Sequence, residues 1–287
     1  MTGDRALLEK VVFPTDFSTY AQAVFECVKD LRGVGEVILV NVIDSRKYPS
    51  SSVEILTIRA RAELAKLEKT LEETKVPVRS LIKVGIPSQE IVKTADEVDA
   101  SVILMGARGL SLFREVLLGS TTSDVMRQSK RPILITRLKL IEKSGKVEWE
   151  RVCQDLLGKI LFATDFSEPS QRALGLLKKL RANGAEEMVL VHVVDRGETE
   201  EEAGKLREAA EKELKTVEDG LHADGWHVKS IVTVGVASKE ITSLADAENA
   251  SLIALGARGK GLIDRLLVGS TAEAVARRAD RPVLILR

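Results

Sequence analysis

The chain has 287 residues, enough for two domains of ordinary size, and its 43 Lys+Arg balance 43 Asp+Glu. A net charge of zero gives no global field for nucleic acid or an anionic membrane, and two Trp with two Tyr leave little aromatic surface for stacking bases. No apolar run approaches the roughly 18 residues of a bilayer span, and the polar stretch Met1–Lys10 lacks a signal-peptide core.

Taken in order, Lys10–Phe13 reads as a strand. Asp16-Phe17-Ser18 then offers a helix cap, and Ala21, Val24, Phe25, Val28 and Leu31 fall at helical spacing over Thr19–Leu31. Val37–Val42 is a continuous apolar strand, the pattern of a sheet covered on both faces. A Ser-rich loop, Pro49–Ser52, leads to a long amphipathic helix over Glu54–Thr74, with Leu64, Leu67 and Leu71 on one face. Val78–Val84 is the third strand, Ser88–Asp96 a short helix and Val102–Met105 the fourth strand. A glycine loop follows, then a helix over Ser120–Ser129 and a fifth strand over Ile133–Thr136.

The order then repeats at an offset of about 150 residues, which marks a duplicated domain rather than a short-period solenoid. Val12–Ser18 returns as Leu161–Ser167, Val37–Val42 as Val189–Val194, Val84–Ile91 as Val234–Ile241, and Arg131–Ile135 as Arg281–Ile285. The second set of strands is Lys159–Ala163, Met188–Val194, Val228–Thr233, Leu252–Leu255 and Val283–Leu286. Its long helix, around Thr199–Leu221, is preceded by the acidic run Glu198–Glu202, read as a solvated helix start. Leu138–Gly158 has no counterpart after the second copy. It reads as an ordered linker with a partly helical second half and with Trp149 packed against a domain surface. The expected organisation is a first domain over residues 1–138, a linker over 139–158 and a second domain over 159–287. Cys27 and Cys153 form no CxxC pattern, so inert thiols in a reducing cytoplasm are expected.

Strand–helix alternation with apolar strands implies an α/β fold: two tandem doubly wound domains, each a parallel sheet with helices on both faces. Ligands in such sheets bind beyond the carboxyl ends of the strands. The distinctive residues fall there. Gly106-Ala107-Arg108-Gly109 is followed by nine residues and then Gly119-Ser120-Thr121, and Gly256-Ala257-Arg258-Gly259 is followed by nine and then Gly269-Ser270-Thr271. Glycines admit a phosphate close to the backbone, and the first N–H groups of a helix lack internal partners. The hydroxyls of Ser120, Thr121, Ser270 and Thr271 could add donors. The competing reading is a connection whose glycines serve only tight turns. Arg108 and Arg258 either meet phosphate or face solvent. Asp16 and Asp165 either serve a ribose or a metal near phosphates, or cap the following helix, although Ser18 and Ser167 suit the cap better.

The loops lack the Lys of a phosphate-binding GxxxxGK[ST] motif and do not match GxGxxG. All three histidines, His192, His222 and His227, lie in the second copy, so no histidine mechanism can serve both copies. No zinc-ligand spacing and no GxSxG elbow appears. These features favour binding over catalysis.

Both halves resemble universal stress protein domains. The family signature G-2x-G-9x-G-[ST] is matched by both loops, and the Pro14–Ser18 corner and the Gly85-Ile86-Pro87 step match in the first copy. The second copy departs with Ala163 and Ala237 at the two proline positions. The resemblance implies a five-stranded parallel sheet of order 3-2-1-4-5 and an adenine nucleotide, ATP or AMP, in each crevice. It would place Thr15, Asp16, Thr164 and Asp165 by ribose and adenine, and the backbones of Val42 and Val193 at the adenine edge. Gly106, Arg108, Gly109, Gly119, Ser120 and Thr121 would surround the phosphates, as would Gly256, Arg258, Gly259, Gly269, Ser270 and Thr271. It also implies an internal pseudo-dimer through the fifth strands, with a homodimer of chains and an unknown protein partner as further options. The leading expectation is a nucleotide-binding stress-response regulator. The alternatives are a slow ATPase, with Asp16 or Asp165 positioning Mg²⁺ or water, and an interaction module with vestigial crevices.

Overall fold

A computed structural model describes residues 6–107, 118–143, 146–151, 155–195, 200–259 and 268–287, with backbone alone for 139–143, 146–151 and 200. Contacts divide the chain into two units, Met1–Gln154 and Asp155–Arg287.

The first unit contains β1 (Lys10–Pro14), α1 (Thr19–Asp30), β2 (Glu36–Asp44), α2 (Val53–Leu71), β3 (Val78–Gly85), α3 (Pro87–Glu97), β4 (Val102–Gly106), α4 (Ser120–Gln128) and β5 (Ile133–Thr136). The strand order is β3-β2-β1-β4-β5, and every pairing is parallel. Val37, Ile38, Leu39 and Val40 on β2 are each at most 1 % exposed, as a strand covered on both faces requires. Each such side chain contributes about 1.5–3 kcal/mol of hydrophobic stabilisation, an upper estimate. α1 begins where the Ser18 Oγ accepts the Ala21 N–H at 3.1 Å. Its buried residues, among them Ala21, Val24, Phe25 and Val28, recur at three- and four-residue steps. The Phe13 and Phe25 rings meet at 5.4 Å between centroids.

The chain leaves β1 toward β2 and β3, then returns to the other side of β1 for β4 and β5. With right-handed crossovers this reversal puts helices on both sheet faces. α2 packs on β2 and β3, α1 on β4, and α3 on α4. The carboxyl ends of β1 and β4 therefore flank the switch point, where an open parallel sheet leaves a crevice.

The second unit repeats the plan with β8 (Lys159–Ala163), α5 (Glu168–Leu177), β9 (Glu187–Val194), α6 (Glu200–Ala223), β10 (His227–Val234), α7 (Ala237–Ala247), β11 (Leu252–Gly256), α8 (Ser270–Arg278) and β12 (Val283–Leu286). Its order, β10-β9-β8-β11-β12, is also entirely parallel. Within the acidic run, Glu201 and Glu202 are exposed on the first turn of α6.

Three expectations are corrected. Among its described residues the segment between the repeats contains no helix: β6 (Leu138–Lys143) and β7 (Lys146–Arg151) pair antiparallel from Leu138↔Arg151 to Lys143↔Lys146. Alternating Leu138, Leu140, Val147 and Trp149 around Ser144-Gly145 is a hairpin pattern. The packing of the Trp149 side chain lies outside the described residues. Second, Thr15 N–H donates to Val40 O at 2.8 Å and Thr164 N–H to Val191 O at 2.9 Å. This moves the match of the second strands by one residue and aligns Asn41 with His192. Third, Cys27 is disulfide-bonded and not an inert thiol, which removes one ground for inferring a reducing compartment. Cys153, the other cysteine of the chain, lies outside the described residues. Among the described residues no helix is long and apolar enough to cross a membrane.

Candidate functional site

The first crevice begins at the end of β1. The Thr15 N–H is tied to β2 as above, and the Thr15 carbonyl accepts the Asn41 Nδ2–H at 2.9 Å. The Thr15 Oγ1 accepts the Phe17 N–H at 3.1 Å, and Asp16 Oδ1 accepts the Ser18 N–H at 3.0 Å. Ser18, not Asp16, caps α1. Asp16 is therefore exposed at the corner with its other carboxylate oxygen unused by that turn. Phe17 has φ 61°, a left-handed conformation uncommon for a bulky residue and held here by the two turns.

The opposite wall is the end of β4. Ala107 N–H donates to Thr136 O at 2.9 Å, Gly119 N–H to Ala107 O at 2.7 Å, and Thr122 Oγ1 to Gly106 O at 2.9 Å. These bonds bring the start of α4 beside the end of β4. The N-cap Gly119 supplies no side-chain acceptor, so the first N–H groups of α4 have no capping side chain. Gly106 is required by packing: a Cβ there would lie 2.6 Å from Tyr20 Cε1.

Between these walls lies a cavity of about 770 Å³. It is lined by Thr15, Asp16, Val42, Gly106, Gly119, Ser120 and Thr121, so seven of the nine first-copy residues named from sequence come together. The other two, Arg108 and Gly109, lie outside the described residues. Sequence reading missed several more lining groups: Asn41, Arg46, Lys47, Arg59 and Thr122. Asn41 had a signal, since it and His192 are the polar interruptions at matching points of two apolar strands. Arg46 had none, because one Arg in a polar turn looks like any solvated residue.

The second corner is built alike. Phe166 has φ 61° and its N–H donates to Thr164 Oγ1 at 3.1 Å. Ser167 caps α5, accepting the Ser170 N–H, while its own N–H and Oγ–H donate to Asp165 Oδ1 at 3.1 and 2.6 Å. The Thr164 carbonyl meets His192 Nδ1 at 2.8 Å. A carbonyl only accepts, so Nδ1 carries the proton. The His192 ring also stacks on Phe166, 4.4 Å between centroids and 25° from parallel. Gly269 N–H donates to Ala257 O at 2.8 Å, and α8 starts at Ser270 without a capping side chain. A Cβ on Gly259 would collide with the Asp165 carboxylate, which puts the loop start against the Thr-Asp corner. Ser270 is exposed, Thr271 and Val193 are half-buried, and Gly256 ends β11. Arg287 is pushed down to about 10, first by burial and then by the nearby Arg258 cation.

The comparisons with known proteins agree with this geometry. The model of the Universal stress protein family matches residues 8–137 and again 157–287. The chain is 33% identical over 157 residues to Universal stress protein MJ0577 of Methanocaldococcus jannaschii, covering 46% of this chain and 97% of that one. It is 25% identical to Universal stress protein Slr1230 of Synechocystis, over 97% of this chain and 89% of that one. A crystal structure of a universal stress protein from Archaeoglobus fulgidus superposes with a TM-score of 0.74 at 27% identity, covering 97% and 96% of the two chains. With the family matched twice, and with the same uncapped helix start beside the same Thr-Asp corner in each match, the chain belongs to the universal stress protein family and carries two of its domains in tandem.

Proposed function

We propose that the protein is an adenine-nucleotide-binding stress-response regulator, holding ATP or AMP in the crevice of each domain. The observation that carries this reading is the first cavity, which joins the Thr15-Asp16 corner, the end of β2 and the uncapped start of α4 in one space. The parts suit the parts of a nucleotide. The oxygen of Asp16 left over by the turn suits a ribose hydroxyl, and Val42, half-buried near the end of β2 and lining the cavity, suits the edge of a base. The first turn of α4, with the hydroxyls of Ser120 and Thr121, suits phosphate. Arg108 and Gly109 complete the loop, and the second copy repeats the roles with Thr164, Asp165, Val193, Gly256, Arg258, Gly259, Gly269, Ser270 and Thr271. With no lysine in the loop, occupancy rather than turnover is the output, and it biases the choice of a protein partner in the cytoplasm.

Denaturing the purified protein and identifying the small molecules released tests this directly. Adenine nucleotide at up to two per chain is expected, and calorimetry should show that Gly119→Val together with Gly269→Val abolishes rebinding. Release of none, with no heat of binding from ATP or AMP, defeats the proposal.

A further inference from the structure

The first cavity holds a fixed cation outside the signature loop. Asp44, the last residue of β2, accepts the Arg46 N–H at 3.1 Å and Nε–H at 2.9 Å on Oδ1, and Nη2–H at 2.8 Å on Oδ2. The Asp44 side chain is 7% exposed and that of Arg46 58%, so a nearly buried carboxylate orients a guanidinium that faces open space. The fork uses Nε and Nη2 and leaves the Nη1 donors outside it. Arg46 lines the same cavity as Gly119, Ser120 and Thr121. The Asp44 hydrogen bond chiefly, and the Asp124 carboxylate on α4 more weakly, hold the Arg46 guanidinium above its usual range. Asp124 lies one turn beyond the start of α4. Arg46 is therefore within electrostatic reach of the helix whose N-terminus suits phosphate.

We propose that Arg46 is a specificity residue of the first site: it clamps the distal phosphates of a nucleoside polyphosphate and makes this site prefer a triphosphate over a monophosphate. The inference rests on the nucleotide reading above and names the ligand class within it. It adds a cation outside a loop that has no lysine. A guanidinium held by one face in a carboxylate fork presents its other donors without losing rotamer freedom on binding. The described Asp–Arg fork is that of the first copy: Asp44-Ser45-Arg46 aligns with Asp195-Arg196-Gly197 in the second, where Arg196 and Gly197 lie outside the described residues.

The test is calorimetry with ATP and AMP on the full chain carrying Gly269→Val, which silences the second site. Arg46→Gln should weaken ATP roughly tenfold or more and leave AMP within about twofold, the signature of a lost charge-assisted phosphate contact. Arg46→Lys should restore part of the ATP affinity, because it keeps the charge and loses the fork. Equal weakening of ATP and AMP, or unchanged ATP binding, overturns the assignment of Arg46 while leaving the nucleotide site standing. If neither nucleotide binds before Arg46 is touched, the nucleotide reading itself falls, and the clamp with it.

Discussion

The two Thr-Asp corners do the same structural work with different chemistry. In each, the side chain at one point of the second strand holds the carbonyl of the Thr: Asn41 in the first copy, His192 in the second. Backbone geometry has been kept closely, with φ of 61° at both Phe17 and Phe166, and −65° and −64° at the N-caps Gly119 and Gly269. Side chains have diverged around that frame. Tyr20 and Val24 crowd Gly106, whereas Ser170 and Ala173 leave Gly256 more room. The difference teaches that the corner needs a donor to one carbonyl and a fixed left-handed turn, and tolerates several ways of packing behind them.

Glycine substitution at the ends of β4 and β11 should separate the copies most. Gly106→Ala sets a methyl 2.6 Å from the Tyr20 ring, and overpacking of that kind costs up to about 3 kcal/mol. At Gly256 the nearest atom is the Arg258 carbonyl oxygen at 3.1 Å, so Gly256→Ala should cost under about 1 kcal/mol. Urea unfolding of the two variants measures both, and equal losses would mean that the Tyr20 ring swings clear. A smaller effect is expected at the carbonyl donors. Asn41→Ala leaves the Thr15 carbonyl without its side-chain donor in a buried setting, a loss of about 2 kcal/mol. His192→Asn copies the first domain, so it should keep the hydrogen bond and lose only the Phe166 stack, about 1 kcal/mol. If His192→Asn proves as costly as Asn41→Ala, the two corners are not interchangeable.

Most of the fold was legible because it is carried by short-range pattern. Continuous apolar strands alternating with helical periodicity, written twice, leave little choice but a parallel sheet covered on both faces. The signature loops could be found because glycine spacing is a backbone requirement and appears in sequence. The hairpin between the repeats was missed although its alternation and a Ser-Gly pair were present in the sequence, because lysines and glutamates on both strands mask a short apolar period. The bonded state of Cys27 could not be read, since spacing in sequence says nothing of distance across a fold. Arg46 was invisible for a related reason: its placement comes from Asp44, which lies beyond the strand expected over Val37–Val42 and showed no signal of its own.

The Asp44–Arg46 pair gives the mildest distinction between the copies, and its sign can be worked out. The Arg46 hydrogen bond holds the Asp44 carboxyl below its ordinary value of 3.8, and burial opposes this more weakly. A carboxylate whose folded pKa is depressed stabilises the fold fully above its unfolded pKa, and loses that contribution as pH falls through the folded one. Arg46→Gln should therefore lower stability by a constant amount from neutral pH down to the ordinary carboxylate range, with the gap to wild type closing below it. Asp44 is nearly covered as a side chain, yet it borders an open cavity, and its partner is more than half exposed. Solvent screening then keeps the gap small, as for a surface pair. Urea midpoints from pH 7 to pH 3 for wild type, Arg46→Gln, Asp44→Asn and the double variant measure it as a coupling. A gap that widens on acidification would show that Arg46 stabilises the fold through some contact other than Asp44.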